Sequence, residues 1–235
     1  MEFNKANVEA INSLLKGKTA KEIIQYFNDN LGDNITFGTS LGAEDQVITQ
    51  MLASIKSAVP IFTLDTGRLF PQTYDLIDST AQKYGLIIKP YSPVNTEVET
   101  MVVENGMNLF FKSIELRKQC CQVRKLRPLA RALEGRSAWF TGLRRSQSVT
   151  RVDMQIVEWD ANSQMLKVNP LIDWSEDDVW AYIKENGIPY NPLHDQDYPS
   201  IGCQPCTRAI MPGEDVRAGR WWWENPDTRE CGLHK

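Results

Sequence analysis

The chain has 235 residues, 42% hydrophobic and 24% charged, with a net charge of −4. That length can bury a sizeable core as one domain or two small ones, and the acidic balance argues against a general nucleic-acid binder. No stretch approaches a membrane span and Met1 to Lys5 is unlike a signal peptide, so a soluble cytoplasmic protein is expected, in which five cysteines point to metal or redox chemistry rather than structural disulfides.

In chain order, Val8, Ile11, Leu14 and Leu15 have helical spacing. Thr19 with Glu22 forms a capping box before Ile23, Ile24 and Phe27, and Gly32 stops that helix. "NITF" (34–37) reads as a strand followed by a glycine-containing loop, and Val47, Ile48, Met51 and Leu52 mark a helix. "PIFTLD" (60–65) is a strand, 71–84 a helix closed by Gly85, and "LIIKPY" (86–91) and "SAWFTG" (137–142) are further strands. "MQIVEWD" and "MLKVNP" pair as a hairpin, Ser175 caps a helix to Gly187, and the last fifty residues read as a loop-dominated tail. The alternation predicts a doubly wound α/β fold with a mostly parallel sheet. Its expected division is residues 1–215 as one α/β domain with N-terminal helices and 216–235 as a flexible C-terminal tail.

Charge is unevenly placed. From Arg117 to Arg151 there are ten Lys or Arg and one acid, Glu134, so this segment is +9 and the rest of the chain −13. A basic focus in an acidic chain suits a small anionic ligand, although a solvated helix face would look the same.

Three loops follow predicted strands, where α/β sheets bind ligands. "TSLGAEDQ" (39–46) opens a helix whose N–H groups favour an anion, with Gly38 and Gly42 permitting close approach. It lacks the Gly-Lys-Ser/Thr ending of a Walker loop. "LDTGRLFPQTYD" (64–75) places Asp65, Thr66, Gly67 and Arg68 at the next strand end, so the two loops are expected to face one crevice. "TGLRRSQSVTR" (141–151) brings Arg144, Arg145 and Arg151, which can grip phosphate or sulfate bidentately.

The cysteines divide into an adjacent pair, Cys120 and Cys121, a "CQPC" pair, Cys203 and Cys206, and a solitary Cys231. Four thiolates can hold zinc or an iron–sulfur cluster. Adjacent residues have Cα atoms ~3.8 Å apart and their side chains leave a helix in different directions, so both reach a multi-iron cluster more readily than one small ion. Disulfides within either pair remain alternatives. Cys231, flanked by Arg229 and His234, is the thiol left over.

The order SLGAEDQ, LDTGRLF, CCxxRK, TGLRRxQS, GCxxCT and ECGLH, from about Asn34 onward, resembles the assimilatory adenylyl-sulfate reductases that use thioredoxin. The resemblance implies an adenine-nucleotide α-hydrolase-like fold, with Cys120, Cys121, Cys203 and Cys206 ligating one [4Fe–4S] cluster and Cys231 as nucleophile. It implies adenosine 5′-phosphosulfate as substrate, sulfite and AMP as products, thioredoxin or glutaredoxin as reductant, and a homo-oligomer. Substrate contacts are expected from Ser40, Leu41, Gly42, Asp45, Leu64, Gly67 and Arg68. Lys125 would link cluster and substrate, Arg144, Arg145 and Arg151 would cover the phosphosulfate, and Arg217 and Arg220 would serve the sulfate and the incoming cysteine. Trp221 to Trp223 are expected to pack the base of the tail.

The alternatives are a reductase of the 3′-phosphorylated substrate or of both substrates, which usually lacks the cluster cysteines when strict for the former. An ATP pyrophosphatase of the tRNA-thiolation kind should show an SGGxDS-like loop, which Ser40-Leu41-Gly42-Ala43-Glu44-Asp45 does not match. A zinc-binding regulatory module without catalysis would tolerate loss of Cys231.

Overall fold

Residues 2–147 and 153–225 are described in the structure, a computed structural model. The chain divides into two units: Met1–Thr63, Asp75–Lys89 and Leu133–Asn191 form the first, and Leu64–Tyr74, Pro90–Ala132 and Pro192–Lys235 the second.

The first unit begins with helices α1 (Val8–Leu15) and α2 (Ala20–Leu31). Thr19 and Glu22 form the expected capping box, and Gly32 ends α2 with φ 55°. Ile11, Leu15, Ile23, Ile24 and Phe27 are buried, whereas Leu14 of the predicted apolar face is 47% exposed. The six-stranded sheet contains β1 (Ile35–Thr39), β2 (Ile61–Leu64), β3 (Ile88–Tyr91), β4 (Ala138–Phe140), β5 (Val157–Asp160) and β6 (Met165–Val168), in the order β3-β2-β1-β4-β6-β5.

β1 runs parallel to β2 and β4, pairing Phe37 with Ile61 and Ile35 with Ala138. β4 is parallel to β6, with Phe140 opposite Val168, and β5 runs antiparallel to β6, closing the predicted hairpin. Every residue of β4 and β6 is buried, as befits central parallel strands covered on both faces. At the sheet edge, Asn12 replaces a missing strand: its Nδ2 donates to Val157 O at 2.8 Å and its Oδ1 accepts from Val157 N at 2.9 Å. Helix α3 (Ala43–Ser54) follows β1, α4 (Pro71–Tyr84) follows β2, and a helix at Glu176–Glu185 begins with a second capping box, Ser175 with Asp178.

The second unit holds three helices between β3 and β4 that the sequence pattern does not announce: α5 (Asn95–Asn105), α6 (Ile114–Cys121) and α7 (Arg127–Leu133). The helix at Glu176–Glu185 is thus α8. A π-helical turn, Gln122–Leu126, joins α6 to α7 directly after the cysteine pair. Ser113 caps α6 by accepting from Leu116 N at 3.2 Å. The core of this unit combines Met101, Leu109, Phe110, Val123 and Trp221 with Cys120, Cys121, Cys203 and Cys206. Residues 192–225 are mostly turns, as expected of a loop-rich segment, yet they supply three of those core side chains, and 216–225 pack within this unit.

Candidate functional site

The first unit presents two loops at one topological switch point. Successive strands β2 and β3 extend the sheet to one side of β1, and β4 lies on its other side, so the loops after β1 and β4 leave neighbouring carboxyl ends. The β1 loop is held by Asp45. Its Oδ2 accepts from Ser40 N at 2.6 Å and Ser40 Oγ at 2.7 Å. Gly142 of the β4 loop adds a backbone hydrogen bond, and a Cβ there would lie 2.2 Å from Asp45 Oδ1. Burial pushes the Asp45 carboxyl up to about 6, opposed by the hydrogen bonds from Ser40 and Gly142, which favour the ion.

Leu41, between Ser40 and Gly42, is buried with φ 61°, a left-handed conformation that branched side chains rarely adopt. Gly42 caps α3 without a side-chain hydrogen bond, so no side chain of the cap occupies the helix start, which is the geometry for an anion.

Arg144 and Arg145 belong to this unit but are engaged. Arg144 is 5% exposed; its Nε donates to Glu44 Oε1 at 2.8 Å and its Nη1 to Ser146 Oγ at 2.7 Å. Gln147 Nε2 donates to the same Glu44 oxygen at 2.9 Å. Arg145 pairs with Asp173 and donates through Nε to Met154 O at 2.8 Å. Both arginines therefore brace the β4 loop. Arg151 lies outside the described residues.

The second unit gathers the four cysteines. Cys120 and Cys121 end α6; Cys203 and Cys206 bracket the short turn Gln204–Cys206. All four line one pocket, are 8 to 9% exposed and carry free thiols, so neither pair is a disulfide. Among the described residues no three His, Cys, Asp or Glu side chains converge on a single metal ion. Burial pushes the Cys206 thiol up to about 12, with Cys203, Cys121 and Cys120 adding to the rise and Lys125 opposing it. Burial likewise raises Cys120, against the pull of Arg124, Arg68 and Lys125. Ionising either of these two thiols is therefore costly, and a neighbouring thiolate makes it costlier.

The 64–68 loop belongs to this unit and is stitched to the cysteines. Thr66 Oγ1 lies 3.2 Å from Cys203 Sγ, and Gln204 N donates to Arg68 O at 2.8 Å. Gly67, at φ 68°, leaves room for Arg124, whose Nη1 donates to Thr66 O at 2.7 Å. Arg68 lies over the Phe110 ring at 5.2 Å and donates to Met107 O at 2.6 Å. Lys125 and Arg220 also line the cysteine pocket, Leu64 ends β2 half-buried, and Arg217 is half-buried outside the pocket lining. Cys231, like 226–235 as a whole, lies outside the described residues.

Residues passed over by the sequence reading are central here. Arg117 is fully buried and Glu224 nearly so, joined by a two-pronged ion pair at 2.8 and 2.9 Å. Burial works against the Arg117 charge, but Glu224, helped by Cys121, holds its pKa above the usual guanidinium value. The signal was spacing: Arg117 precedes Cys120 and Cys121 by three and four positions, and Arg124 follows them by four and three, the offsets that share a helix face.

Residues 34–209 match the profile of the phosphoadenosine phosphosulfate reductase domain family. The chain belongs to that family. A relative from Allochromatium vinosum named adenosine 5′-phosphosulfate reductase is 56% identical over 86% of this chain and 79% of its own. The family fold is also seen in a crystal structure of phosphoadenylyl-sulfate reductase from Candida auris, 29% identical with a TM-score of 0.76 over 89% of this chain and 99% of that one. Yeast FAD synthetase, 13% identical with a TM-score of 0.54 over 87% of this chain and 66% of that one, shares the fold alone. The predicted α/β architecture, of the adenine-nucleotide α-hydrolase-like kind, is thereby the observed one.

Proposed function

We propose that this chain is an adenylyl-sulfate reductase, converting adenosine 5′-phosphosulfate to sulfite and AMP in sulfate assimilation. The observation that carries the reading is the convergence of Cys120, Cys121, Cys203 and Cys206 on one pocket, in a chain 56% identical to a reductase named for that substrate. The four thiols fit a [4Fe–4S] cluster: they are buried together, they line one pocket, and their type and number match the four thiolates that such a cluster takes. Such a cluster would supply local charge and rigidity and no net electrons, because thiols supply both electrons of the reduction. Lys125, one helical turn after Cys121, carries positive charge beside those ligands.

In this reading the Cys231 thiolate attacks the sulfonyl sulfur, the S–O bond breaks, and AMP leaves with the electron pair on its phosphate. A thiosulfonate remains on Cys231. A thioredoxin thiolate then attacks the Cys231 sulfur and releases sulfite, leaving a mixed disulfide that the second thioredoxin thiol resolves. With four cysteines committed as ligands, the chain holds no second thiol to resolve Cys231, so an external dithiol such as thioredoxin or glutaredoxin is required. The start of α3 supplies N–H groups for the phosphate, and the Ser40–Gly42 turn, whose own N–H groups donate to Asp45, Thr39 and Ser40 side chains, holds that start in place. Among the described residues no helix is long and apolar enough to cross a membrane. We place the reaction in the cytoplasm, where thioredoxin keeps thiols reduced, and expect a homo-oligomer.

Sulfite release with reduced thioredoxin tests this proposal. The 5′-phosphosulfate should be preferred over its 3′-phosphorylated counterpart, and Cys231→Ser should abolish turnover with either. Preference for the 3′-phosphorylated substrate would instead support the activity named for the Candida auris relative.

A further inference from the structure

The described chain ends in a segment that is fastened to both halves of the cysteine quartet. On one side the attachment is backbone. Arg208 N donates to Gly219 O at 3.0 Å, Thr207 and Arg220 form an antiparallel bridge, and Trp221 N donates to Cys206 O at 3.1 Å. On the other side it is a side chain: Arg117, one turn before Cys121 on α6, grips both carboxylate oxygens of Glu224. Between the two attachments sits Trp221, 2% exposed, at φ 44° and with the guanidinium carbons of Arg117 and Arg220 each 4.8 Å from its ring. A bulky residue in the left-handed region persists only where its surroundings hold it there.

The Arg117–Glu224 side chains are 0% and 3% exposed. An arginine buried at this depth is seldom needed for stability alone, because an apolar pair of similar volume often serves as well. What the pair adds is a fixed direction, since a bidentate fork admits one mutual orientation. Cys231 lies seven residues beyond Glu224, a span of at most roughly 25 Å when fully extended. The point where Glu224 is held therefore limits where the Cys231 thiol can be.

We infer that Arg117 and Glu224 form a strut that couples the cysteine quartet to the root of the C-terminal segment, and that both are positioning residues for Cys231. The strut sets the origin from which the thiol approaches the substrate, so its loss lowers the effective concentration of that thiol and leaves the binding of substrate intact. This rests on the reading of Cys231 as the reacting thiol.

The test uses the full chain in its metal-loaded form. Two variants are compared with wild type: Glu224→Gln, which keeps shape but removes charge, and the double variant Arg117→Met with Glu224→Leu, which replaces the pair by apolar packing and protects the fold. Hydrogen exchange at the Trp221 and Glu224 amides reads the strut without any reaction. Single-turnover sulfonation of Cys231 by adenylyl sulfate, followed by peptide mass, reads the chemistry. The double variant should exchange at these amides about tenfold faster. Its sulfonation rate should fall about tenfold, with KM for adenylyl sulfate within about twofold of wild type. Wild-type exchange in the double variant overturns the strut. Faster exchange with an unchanged sulfonation rate, or a loss confined to KM, overturns the positioning role. An unmodified Cys231 in the wild-type chain overturns the reading of the reaction instead, and the exchange data then judge the strut by themselves.

Discussion

At the scale of single residues, Asp45 concentrates the physical tension of the β1 loop. It is buried, yet it accepts hydrogen bonds from Ser40 N and Oγ that favour its ionised form. Its folded pKa of about 6 lies above the ordinary 3.8, so the folded state holds this proton more tightly than the unfolded chain does. The stability it contributes is therefore present in full below about pH 4 and lost as pH rises through about 6. Asp45→Asn removes that dependence. In urea titrations at a series of pH values, the stability of wild type relative to the variant should fall by on the order of 2 to 3 kcal/mol from pH 4 to pH 7. A pH-independent difference would show that Asp45 is not held in this way. Arg144 and Arg145 looked available in sequence because their acidic partners, Glu44 and Asp173, are 100 and 28 positions away. No local pattern reveals such a pairing.

At the scale of elements, much was legible where local rules decide. The capping box at Thr19 and the cap at Ser175 form as expected, and the apolar runs around 35, 61, 138 and 165 become strands because parallel central strands are buried on both faces. Edges were less legible: Ile87, inside the predicted third strand, is 84% exposed, and β3 begins only at Ile88. Helix α6 escaped notice because the residues it buries are Arg117, Cys120 and Cys121, so its core face is charged and sulfur-bearing and gives no apolar period. In the C-terminal turns Trp221 is buried at φ 44°, a conformation that composition does not disclose. The edge of the sheet offers a separate test. Asn12 satisfies both backbone groups of Val157. Asn12→Ala should lower unfolding stability by roughly 1 to 3 kcal/mol in urea, the cost of stranding partly buried hydrogen-bonding groups. A change below a few tenths would mean that water replaces the amide without loss.

At the scale of the whole molecule, the basic run 117–151 proves to be two things. Its portion up to Arg131 lies in the second unit and its portion from Arg136 onward in the first. Arg117, Arg127, Arg144 and Arg145 are paired with acids from distant parts of the chain, so the excess charge counted along the sequence overstates what is left for a ligand. The cysteine pocket belongs wholly to the second unit. Stripping a bound cluster with an oxidant and chelator should therefore raise amide exchange at 116–121 and 203–207 and leave the central strands at 35–39 and 138–140 close to their loaded values. Equal loosening of the central strands would contradict the assignment of the four thiols as a local metal site.

The central claim is that Cys231 reacts covalently with adenylyl sulfate and that the four buried cysteines do not. The most direct measurement is the intact-peptide mass of each cysteine after anaerobic incubation of the metal-loaded protein with adenosine 5′-phosphosulfate and no reductant. The account predicts one added sulfonate on the Cys231 peptide, release of AMP in equal amount, and reversal on adding reduced thioredoxin. An unmodified Cys231 accompanied by AMP release, or a sulfonate on any of Cys120, Cys121, Cys203 or Cys206, would contradict it.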